Sequence, residues 1–234
     1  MKNLCIIPAR GGSKRVARKN IRLLDGRPLI SYSIRAAKDS GQFDKIILSS
    51  DDNEILEVGI SEGISVDERP AEMAGDHVTK VQVVNEFLTR NNSIFEFDNV
   101  AALLPTCPFR TSKDVSIAVE IFKKNIEKEF LIGVKEYDFP IQLALEKEND
   151  QLVSMIFLDS YKTTRSQDIK KRFHPNGAIY MATIDAFLRE GTFFNKNMLA
   201  YEMSAIASFD IDYPYQFEIA QILAKKIRNK EIIV

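Results

Sequence analysis

Residues 4–22 read LCIIPARGGSKRVARKNIR, a short apolar run followed directly by a basic segment that contains two glycines. The length and β-branched content of the apolar run at residues 4–7 favour a buried strand over a helix. Pro8, Gly11 and Gly12 then interrupt regular structure. This order predicts the first strand of an α/β domain, with a loop at the carboxyl end of that strand.

The loop that follows the strand is strongly basic and has no acidic side chain. Glycine lets backbone N–H groups approach phosphate oxygens, while Arg and Lys neutralise those oxygens from outside. The composition therefore predicts a site for a small polyphosphate, with a solvated surface loop as the alternative. The motifs GxxxxGK[ST] and GxGxxG do not occur, which excludes a Walker-type ATPase and a standard dinucleotide site. The basic residues are Arg10, Lys14, Arg15, Arg18, Lys19 and Arg22.

Composition limits the function further. The chain has 234 residues, of which 45% are hydrophobic and 28% charged, and its net charge is −1. The near-zero charge argues against a nucleic-acid partner. No apolar stretch approaches the roughly 20 residues that cross a bilayer, so we expect a cytoplasmic protein without a membrane partner. Cys5 and Cys107 lack metal-ligand spacing and are predicted to be buried free thiols.

Strand and helix patterns alternate through the first half of the chain, which predicts a mainly parallel sheet covered on both faces. From about residue 130, short strand-like runs separated by polar turns favour antiparallel hairpins. We therefore expect one α/β, Rossmann-like domain over residues 1–234, with a protruding lobe at about residues 137–175. Predicted strands are 4–7, 45–51, 64–70, 99–105, 130–137, 141–148, 151–158 and 176–183, and predicted helices are 29–40, 52–62, 79–91, 112–126, 183–191 and 214–228.

Several polar side chains follow predicted strands, at the edge where parallel sheets bind ligands. They include Arg10, Asp51, Arg69 and the segment PTCPFR at residues 105–110. Far downstream, SFDID at residues 208–212 places two aspartates one residue apart, so an extended backbone points both carboxylates the same way. Such a pair suits a hard divalent cation such as Mg²⁺, although a turn with solvated acids is the alternative.

Five segments together carry a resemblance to a known family. They resemble the bacterial acylneuraminate cytidylyltransferases, the CMP-sialic acid synthetase family, in order over nearly the whole chain. The segments are IPARGGSKR with RKN following (7–20), RPAEMAGD (69–76), LLPTCPFR (103–110), PNGAIYM (175–181) and SFDID (208–212).

The resemblance implies that CTP and a nine-carbon 2-keto sugar acid give a CMP-sugar and pyrophosphate, with Mg²⁺ as cofactor. It also implies a nucleotide-diphospho-sugar transferase fold and a homodimer whose lobes exchange across the interface. Asp210 and Asp212 would hold the metal. The implied CTP-binding residues are Arg10, Gly11, Gly12, Ser13, Lys14 and Lys19, together with Asn20, Arg69 and Thr79.

The implied chemistry assigns catalytic roles to Arg10, Lys19 and Asp212. The anomeric hydroxyl attacks the α-phosphorus in line while charge builds on pyrophosphate, so positioning and neutralisation supply most of the catalysis. We expect Arg10 and Lys19 to stabilise the leaving group. A metal held by the two aspartates would lower the pKa of the attacking hydroxyl.

The sugar side departs from the family pattern. The implied sugar-binding residues are Leu104, Arg165, Asn176 and Gly177, but the family has a glutamine where this chain has Leu104. An apolar side chain cannot make that hydrogen bond, which favours a legionaminic or pseudaminic acid over N-acetylneuraminate. The family arginine before NGAIY is replaced by His174, and the one before QD by Ser166, with Arg165 one position earlier.

The sugar carboxylate calls for a further cation, and Arg165 on the lobe, in its own or the neighbouring subunit's site, could provide one. The same segment also offers Lys170, Lys171 and Arg172, for each of which a solvated surface position is an equal alternative. The sequence assigns no ligand role to Ser50 and Asp51.

Three other functions remain open from the sequence. A CMP-Kdo synthetase would share the reaction class, but its first arginine is followed by an aromatic and a small residue, where this chain has Gly11 and Gly12. A glycosyltransferase that consumes a nucleotide sugar would explain Asp-x-Asp but not the basic loop. A non-catalytic nucleotide sensor is the third alternative.

Overall fold

A seven-stranded sheet forms the centre of the computed structural model, which describes residues 1–75, 77–91, 96–158 and 169–234. The strands are β1 (Asn3–Pro8), β2 (Leu23–Leu24), β3 (Arg27–Pro28), β4 (Lys45–Ser50), β5 (Ser65–Glu68), β6 (Asn99–Ala102), β7 (Phe130–Glu136), β8 (Leu145–Lys147), β9 (Val153–Met155), β10 (Phe173–Thr183) and β11 (Leu199–Glu202). The helices are α1 (Leu29–Ser40), α2 (Asn53–Ser61), α3 (Lys80–Arg90), α4 (Ser112–Lys124), α5 (Ile184–Glu190) and α6 (Pro214–Arg228), and short 3₁₀ turns occupy Ala71–Ala74, Ile126–Lys128 and Ile141–Leu143.

The strand order in the main sheet is β11-β7-β10-β6-β1-β4-β5. Strand β1 lies between β4 and β6 and is parallel to both, whereas β10 is antiparallel to its two neighbours. The sheet is therefore mixed and mainly parallel, which confirms the predicted fold class. The loop after β1 starts at the carboxyl edge, where β4 and β6 also end.

The apolar run of β1 is buried on both faces of the sheet. Cys5 and Ile7 pack in one hydrophobic cluster with α1 and α4, while Leu4 and Ile6 pack in a second cluster with α3 and α5. Side chains of a strand alternate between faces, so a strand covered on both sides must be apolar at every position. This explains why the strand signal at the start of the sequence is continuous.

A third hydrophobic cluster joins the two ends of the chain. Phe217 and Ala220 of α6 pack there against Val16 of the basic loop and Leu24 of the β2–β3 hairpin. Residue Val16 is only 2% exposed, although basic residues surround it in sequence. The buried valine anchors the loop to helix α6.

Most predicted elements form, and the differences have local causes. Strand β11 was not predicted, because four residues with only two partly buried side chains give almost no periodic signal. The predicted strand at 141–148 begins as a 3₁₀ turn and becomes strand β8 only at Leu145–Lys147. Its antiparallel partner β9 confirms the expected hairpin. Residues 159–168 of the predicted lobe lie outside the described residues.

Cys5 and Cys107 are both buried free thiols, as predicted. Burial raises the pKa of each thiol to about 12, so both are protonated and unreactive near neutral pH. Within the described ranges, no helix combines the length and apolarity that crossing a membrane requires.

Candidate active site

A cleft of about 220 Å³ opens at the carboxyl end of β1. Six cationic side chains and one carboxylate line it, so the cleft is suited to a ligand with several negative charges. The charged lining residues are Arg10, Lys14, Arg15, Lys19, Arg69, Lys80 and Asp212, and the others are Pro8, Ser13, Asn20, Val78, Val83, Leu104, Pro105 and Thr106.

Contacts within the basic loop hold its cations at the cleft. The buried Asn20 side chain donates to the carbonyl of Arg10 at 2.9 Å, which closes the loop on itself. Arg18 adopts a left-handed backbone (φ 52°), and its guanidinium pairs with Asp52 and Glu54 at 2.8 Å. Arg18 therefore forms ion pairs at the surface and is not one of the residues that line the cleft.

Gly11 lies against the segment that follows β4. A Cβ atom at this position would come within 2.4 Å of the Asp52 carboxylate, so only glycine fits. The Gly11 N–H donates to Asp51 at 3.1 Å, while the Ser50 hydroxyl accepts from the Asp52 N–H. The structure thus gives Ser50 and Asp51 a role in holding the loop, which the sequence did not assign.

Arg69 is nearly buried beneath the cleft. Its guanidinium donates to the carbonyl oxygens of Ala9 and Ser49, at the ends of β1 and β4. Burial lowers the pKa of Arg69, and nearby Asp51 opposes that shift. The side chain therefore ties two parallel strands together and presents a partly desolvated cation to the cleft.

The aspartate segment meets the basic loop directly. Lys19 donates to the Ile211 carbonyl at 2.7 Å and lies 3.4 Å from Asp212, while Arg15 lies 3.5 Å from the other oxygen of Asp212. Ile211 is fully buried in the third cluster, and its N–H donates to Thr106 at 2.9 Å. The aspartates on either side of Ile211 are half-buried, and Asp212 lines the cleft.

Asp210 is the more buried carboxylate of the pair. Desolvation raises its pKa, a hydrogen bond from the Thr106 side chain opposes this, and the neighbouring Asp212 charge raises it further. Loss of hydration and a like charge both disfavour an ionised carboxylate. A cation placed between the two aspartates would relieve both effects.

The family follows from comparison with known proteins. The cytidylyltransferase family model matches residues 4–230. The chain belongs to the cytidylyltransferase family. This cytidylyltransferase is accordingly a nucleotidyltransferase, as its cation-lined cleft suggests.

Two relatives and one solved structure illustrate the similarity. The cytidylyltransferase is 41% identical to a pseudaminic acid cytidylyltransferase from Campylobacter jejuni over 96% of its own length and 97% of the relative's. It is 32% identical to an N-acylneuraminate cytidylyltransferase from Escherichia coli, over 99% of its length and 54% of the relative's. A CMP:2-keto-3-deoxy-manno-octonic acid synthetase complexed with CTP shares the fold, with a TM-score of 0.71, 16% identity and coverage of 99% and 100%.

Most residues predicted to bind CTP lie together in the cleft of the cytidylyltransferase. Arg10, Ser13, Lys14, Lys19, Asn20 and Arg69 line it, as do the predicted metal residue Asp212 and the predicted sugar residue Leu104. Gly11, Gly12 and Asp210 adjoin the lining, and Thr79 precedes lining residue Lys80. The Thr79 hydroxyl caps α3 through Gln82, so its CTP role stays a prediction.

Asn176 and Gly177, two of the predicted sugar residues, are not among the residues that line the cleft. The Asn176 side chain is buried, donates to Ser208 and Met203 and accepts from the Ala178 N–H. Gly177 has a φ of 78° beside Cys107 and Leu104. Their sugar contact stays a prediction, and the hydrogen bonds show that Asn176 supports the segment that carries Asp210. Arg165 and Ser166 lie outside the described residues.

Sequence reasoning missed three polar lining residues. Arg15 was counted only as part of the basic run, and Thr106 only as part of its motif. Lys80 was assigned to the predicted helix and given no role in the site. Its one sequence signal was position, because it follows the predicted CTP residue Thr79 at the start of α3.

Proposed function

We propose that this cytidylyltransferase couples CTP to a nine-carbon 2-keto sugar acid, of the pseudaminic type, and releases pyrophosphate. The proposal rests on one observation: Lys19 and Arg15 of the basic loop form ion pairs with Asp212 in a cleft lined by six cationic side chains. The similarity to a pseudaminic acid cytidylyltransferase over nearly the whole length of both chains supports the sugar class.

The basic loop is suited to the triphosphate. Arg10, Ser13, Lys14 and Lys19 would bind its oxygens, and Gly11 and Gly12 let the loop fold closely enough to present them. Asn20, Arg69 and the N-terminal end of α3 at Thr79 would face the nucleoside. The backbone that carries these cations is held in place by buried Val16 and by the Asn20 hydrogen bond to the Arg10 carbonyl. Preorganised charge of this kind costs little reorganisation during the reaction.

Catalysis would depend on in-line positioning. The sugar hydroxyl attacks the α-phosphorus as the bond to pyrophosphate breaks, and negative charge grows on the leaving oxygens. Arg10 and Lys19 would neutralise that charge. Lys19 is oriented for this task by the Ile211 carbonyl and the Asp212 carboxylate, which together leave one of its three N–H groups for phosphate.

Asp210 and Asp212 fit a hard divalent cation, and we assign them to Mg²⁺. Both offer carboxylate oxygens, the ligands that Mg²⁺ prefers, and burial together with the neighbouring Asp212 charge raises the pKa of Asp210, an effect that a bound cation would oppose. In the described part of the chain no group of three metal-ligating side chains occurs, so phosphate oxygens and water would complete the shell. When bound, the metal would increase the acidity of the attacking hydroxyl and neutralise phosphate charge.

Leu104 places an apolar surface where the sugar would lie. It is partly buried against the second hydrophobic cluster and lines the cleft. A leucine here cannot donate a hydrogen bond to a sugar hydroxyl, which favours a more deoxygenated sugar than N-acetylneuraminate. Asn176, Gly177 and Arg165 are retained as proposed sugar contacts, the last from the chain's own lobe or from a neighbouring subunit.

The lobe supports a homodimer. Large apolar side chains are exposed along residues 137–158 and at Phe173, and a surface of this kind marks an interaction site. We propose that a second copy covers the lobe.

The proposed substrate also bears on location. CTP is an intracellular nucleotide, which supports the cytoplasmic location.

A substrate panel tests the function. The protein is incubated with Mg²⁺, each of the four NTPs and either pseudaminic, legionaminic, N-acetylneuraminic acid or Kdo, and pyrophosphate is measured. We expect release only with CTP, fastest with pseudaminic acid. Fastest release with Kdo would show that the protein is a CMP-Kdo synthetase. Transfer of the sugar from a CMP-sugar to an acceptor would show a glycosyltransferase, and nucleotide binding without turnover would show a nucleotide sensor.

A further inference from the structure

Lys80 presents an ammonium group to the cleft from the N-terminal end of α3. Its Nζ lies 4.2 Å from the centre of the Tyr180 ring and 5.8 Å from that of Phe194. Tyr180 belongs to β10, which β6 separates from β1 and its loop. Lys80 and Leu104, the residue proposed to face the sugar, both line the cleft.

Lys80 is partly desolvated, and two aromatic rings are its neighbours. Among the described residues no carboxylate pairs with it, and burial alone lowers its pKa. Burial also raises the pKa of Tyr180 to about 12, so this ring is a neutral phenol at physiological pH. The two aromatic faces attract the ammonium weakly and hold it in place, but an aromatic face replaces a full negative charge only in part.

The sugar acid that accepts the CMP group always carries one negatively charged group, its carboxylate. Its carboxylate is bonded directly to the anomeric carbon, whose hydroxyl attacks the α-phosphorus. A cation that binds this carboxylate fixes the hydroxyl as well. Within the described residues of the lobe, Lys171 already pairs with Glu136 at 2.7 Å, and Lys170 and Arg172 are exposed.

We propose that Lys80 binds the carboxylate of the sugar acid and positions its anomeric hydroxyl, with Tyr180 and Phe194 holding the ammonium in place. This inference rests on the proposed function and names the residue that distinguishes a sugar acid from a neutral sugar. Burial between aromatic rings strengthens the pairing, because a partly desolvated ion pair is screened less than one at the surface.

The test compares two variants with two acceptors. Lys80→Met keeps the length of the side chain without its charge, and Lys80→Arg keeps the charge. Each is assayed with saturating CTP and either pseudaminic acid or its C1 carboxamide. The exposed Lys124→Met on α4 is the matched control, since Lys124 is 76% exposed.

We expect Lys80→Met to raise the KM for pseudaminic acid about 10- to 100-fold, as for the loss of a charged hydrogen bond. Its KM for the carboxamide and its KM for CTP should stay within about twofold of wild type. Lys80→Arg should recover part of the preference for the acid. Thermal melting of the CTP-bound variants shows whether they fold, and Lys80→Gln replaces the methionine variant if it does not.

Three results would overturn the inference. The first is a Lys80→Met variant that prefers pseudaminic acid to its carboxamide as strongly as wild type does. The second is a wild-type protein whose KM for the carboxamide equals its KM for the acid. The third is a loss in Lys80→Met confined to the KM for CTP, which would place the ammonium on the triphosphate. If the wild type releases no pyrophosphate with any acid, the proposed function itself fails, a result distinct from these three.

Discussion

Lys19 donates a hydrogen bond to the carbonyl of Ile211 over 2.7 Å, although 192 residues separate the two in the chain. The contact joins the loop after the first strand to the segment that carries both aspartates. Ile211 and Val16 are buried in the same hydrophobic cluster, so the polar contact rests on an apolar one. The geometry of the site therefore depends on packing beneath it as well as on its charges.

Arg10→Ala tests the role of the leaving-group cation. We expect kcat to fall about 10²- to 10³-fold, because charge that develops only in the transition state loses its partner. The melting temperature should be nearly unchanged. Arg18→Ala is the matched control from the same loop, since Arg18 pairs with Asp52 and Glu54 instead of lining the cleft. Near-normal turnover by Arg10→Ala would contradict the assignment.

Val16→Ala tests the anchor beneath the basic loop. Removal of two buried methyl groups should cost about 2 kcal/mol of unfolding free energy, measured by urea denaturation. The KM for CTP should also rise, because the loop loses its fixed position. The control is Ile60→Ala, whose side chain is 62% exposed on α2 and should change neither quantity. A stability loss with an unchanged KM would show that the loop holds its shape without the anchor.

Asp210→Asn should raise the melting temperature of the metal-free protein at pH 7 to 8. The pKa of Asp210 lies above its ordinary value of 3.8 in the folded state, so ionisation destabilises the folded protein. That penalty is absent below the ordinary pKa of 3.8, grows as the pH rises from there to the raised folded-state pKa, and is constant at higher pH.

The difference between wild type and Asp210→Asn should accordingly be constant above the folded-state pKa and shrink as the pH falls from that pKa towards 3.8, measured by thermal melting. Mg²⁺ with CTP should stabilise the wild type more than the variant. A gap in melting temperature that is independent of pH would argue that Asp210 is not desolvated.

Leu104→Gln should shift substrate preference towards N-acetylneuraminate. A glutamine at this position in the cleft offers the amide that Leu104 lacks, and one hydrogen bond changes relative kcat/KM up to about tenfold. The measurement is the ratio of kcat/KM for N-acetylneuraminate to that for pseudaminic acid. Leu104→Met provides an apolar control of similar volume. An unchanged ratio would place the sugar pocket elsewhere.

Ile156→Glu should weaken the proposed homodimer. The side chain is 52% exposed on the lobe, and a buried, unpaired carboxylate at an interface is costly. Sedimentation velocity at several concentrations should show a dimer for wild type and a shift to monomer for the variant. Ile60→Glu, on the exposed face of α2, controls for the added charge. A wild type that is monomeric at all concentrations would refute the dimer.

The sequence predicted the centre of the fold because β1 is apolar on both faces and the helices carry clear caps and periodic apolar faces. It also predicted that the basic loop and the aspartates meet. It did not predict β11, which is too short for a periodic signal. It missed Lys80 because the partners of that residue, Tyr180 and Phe194, are distant in the chain.

The sharing of one hydrophobic cluster by Val16 and the final helix α6 has a consequence for synthesis of the protein. A nascent chain that has not yet emerged past residue 210 contains the basic loop but lacks Ile211 and Phe217 to hold it in place. We therefore expect nucleotide affinity only after α6 has been synthesised. Ribosome-stalled chains of increasing length should acquire CTP binding abruptly, once residues 211–217 have left the ribosome, instead of gradually.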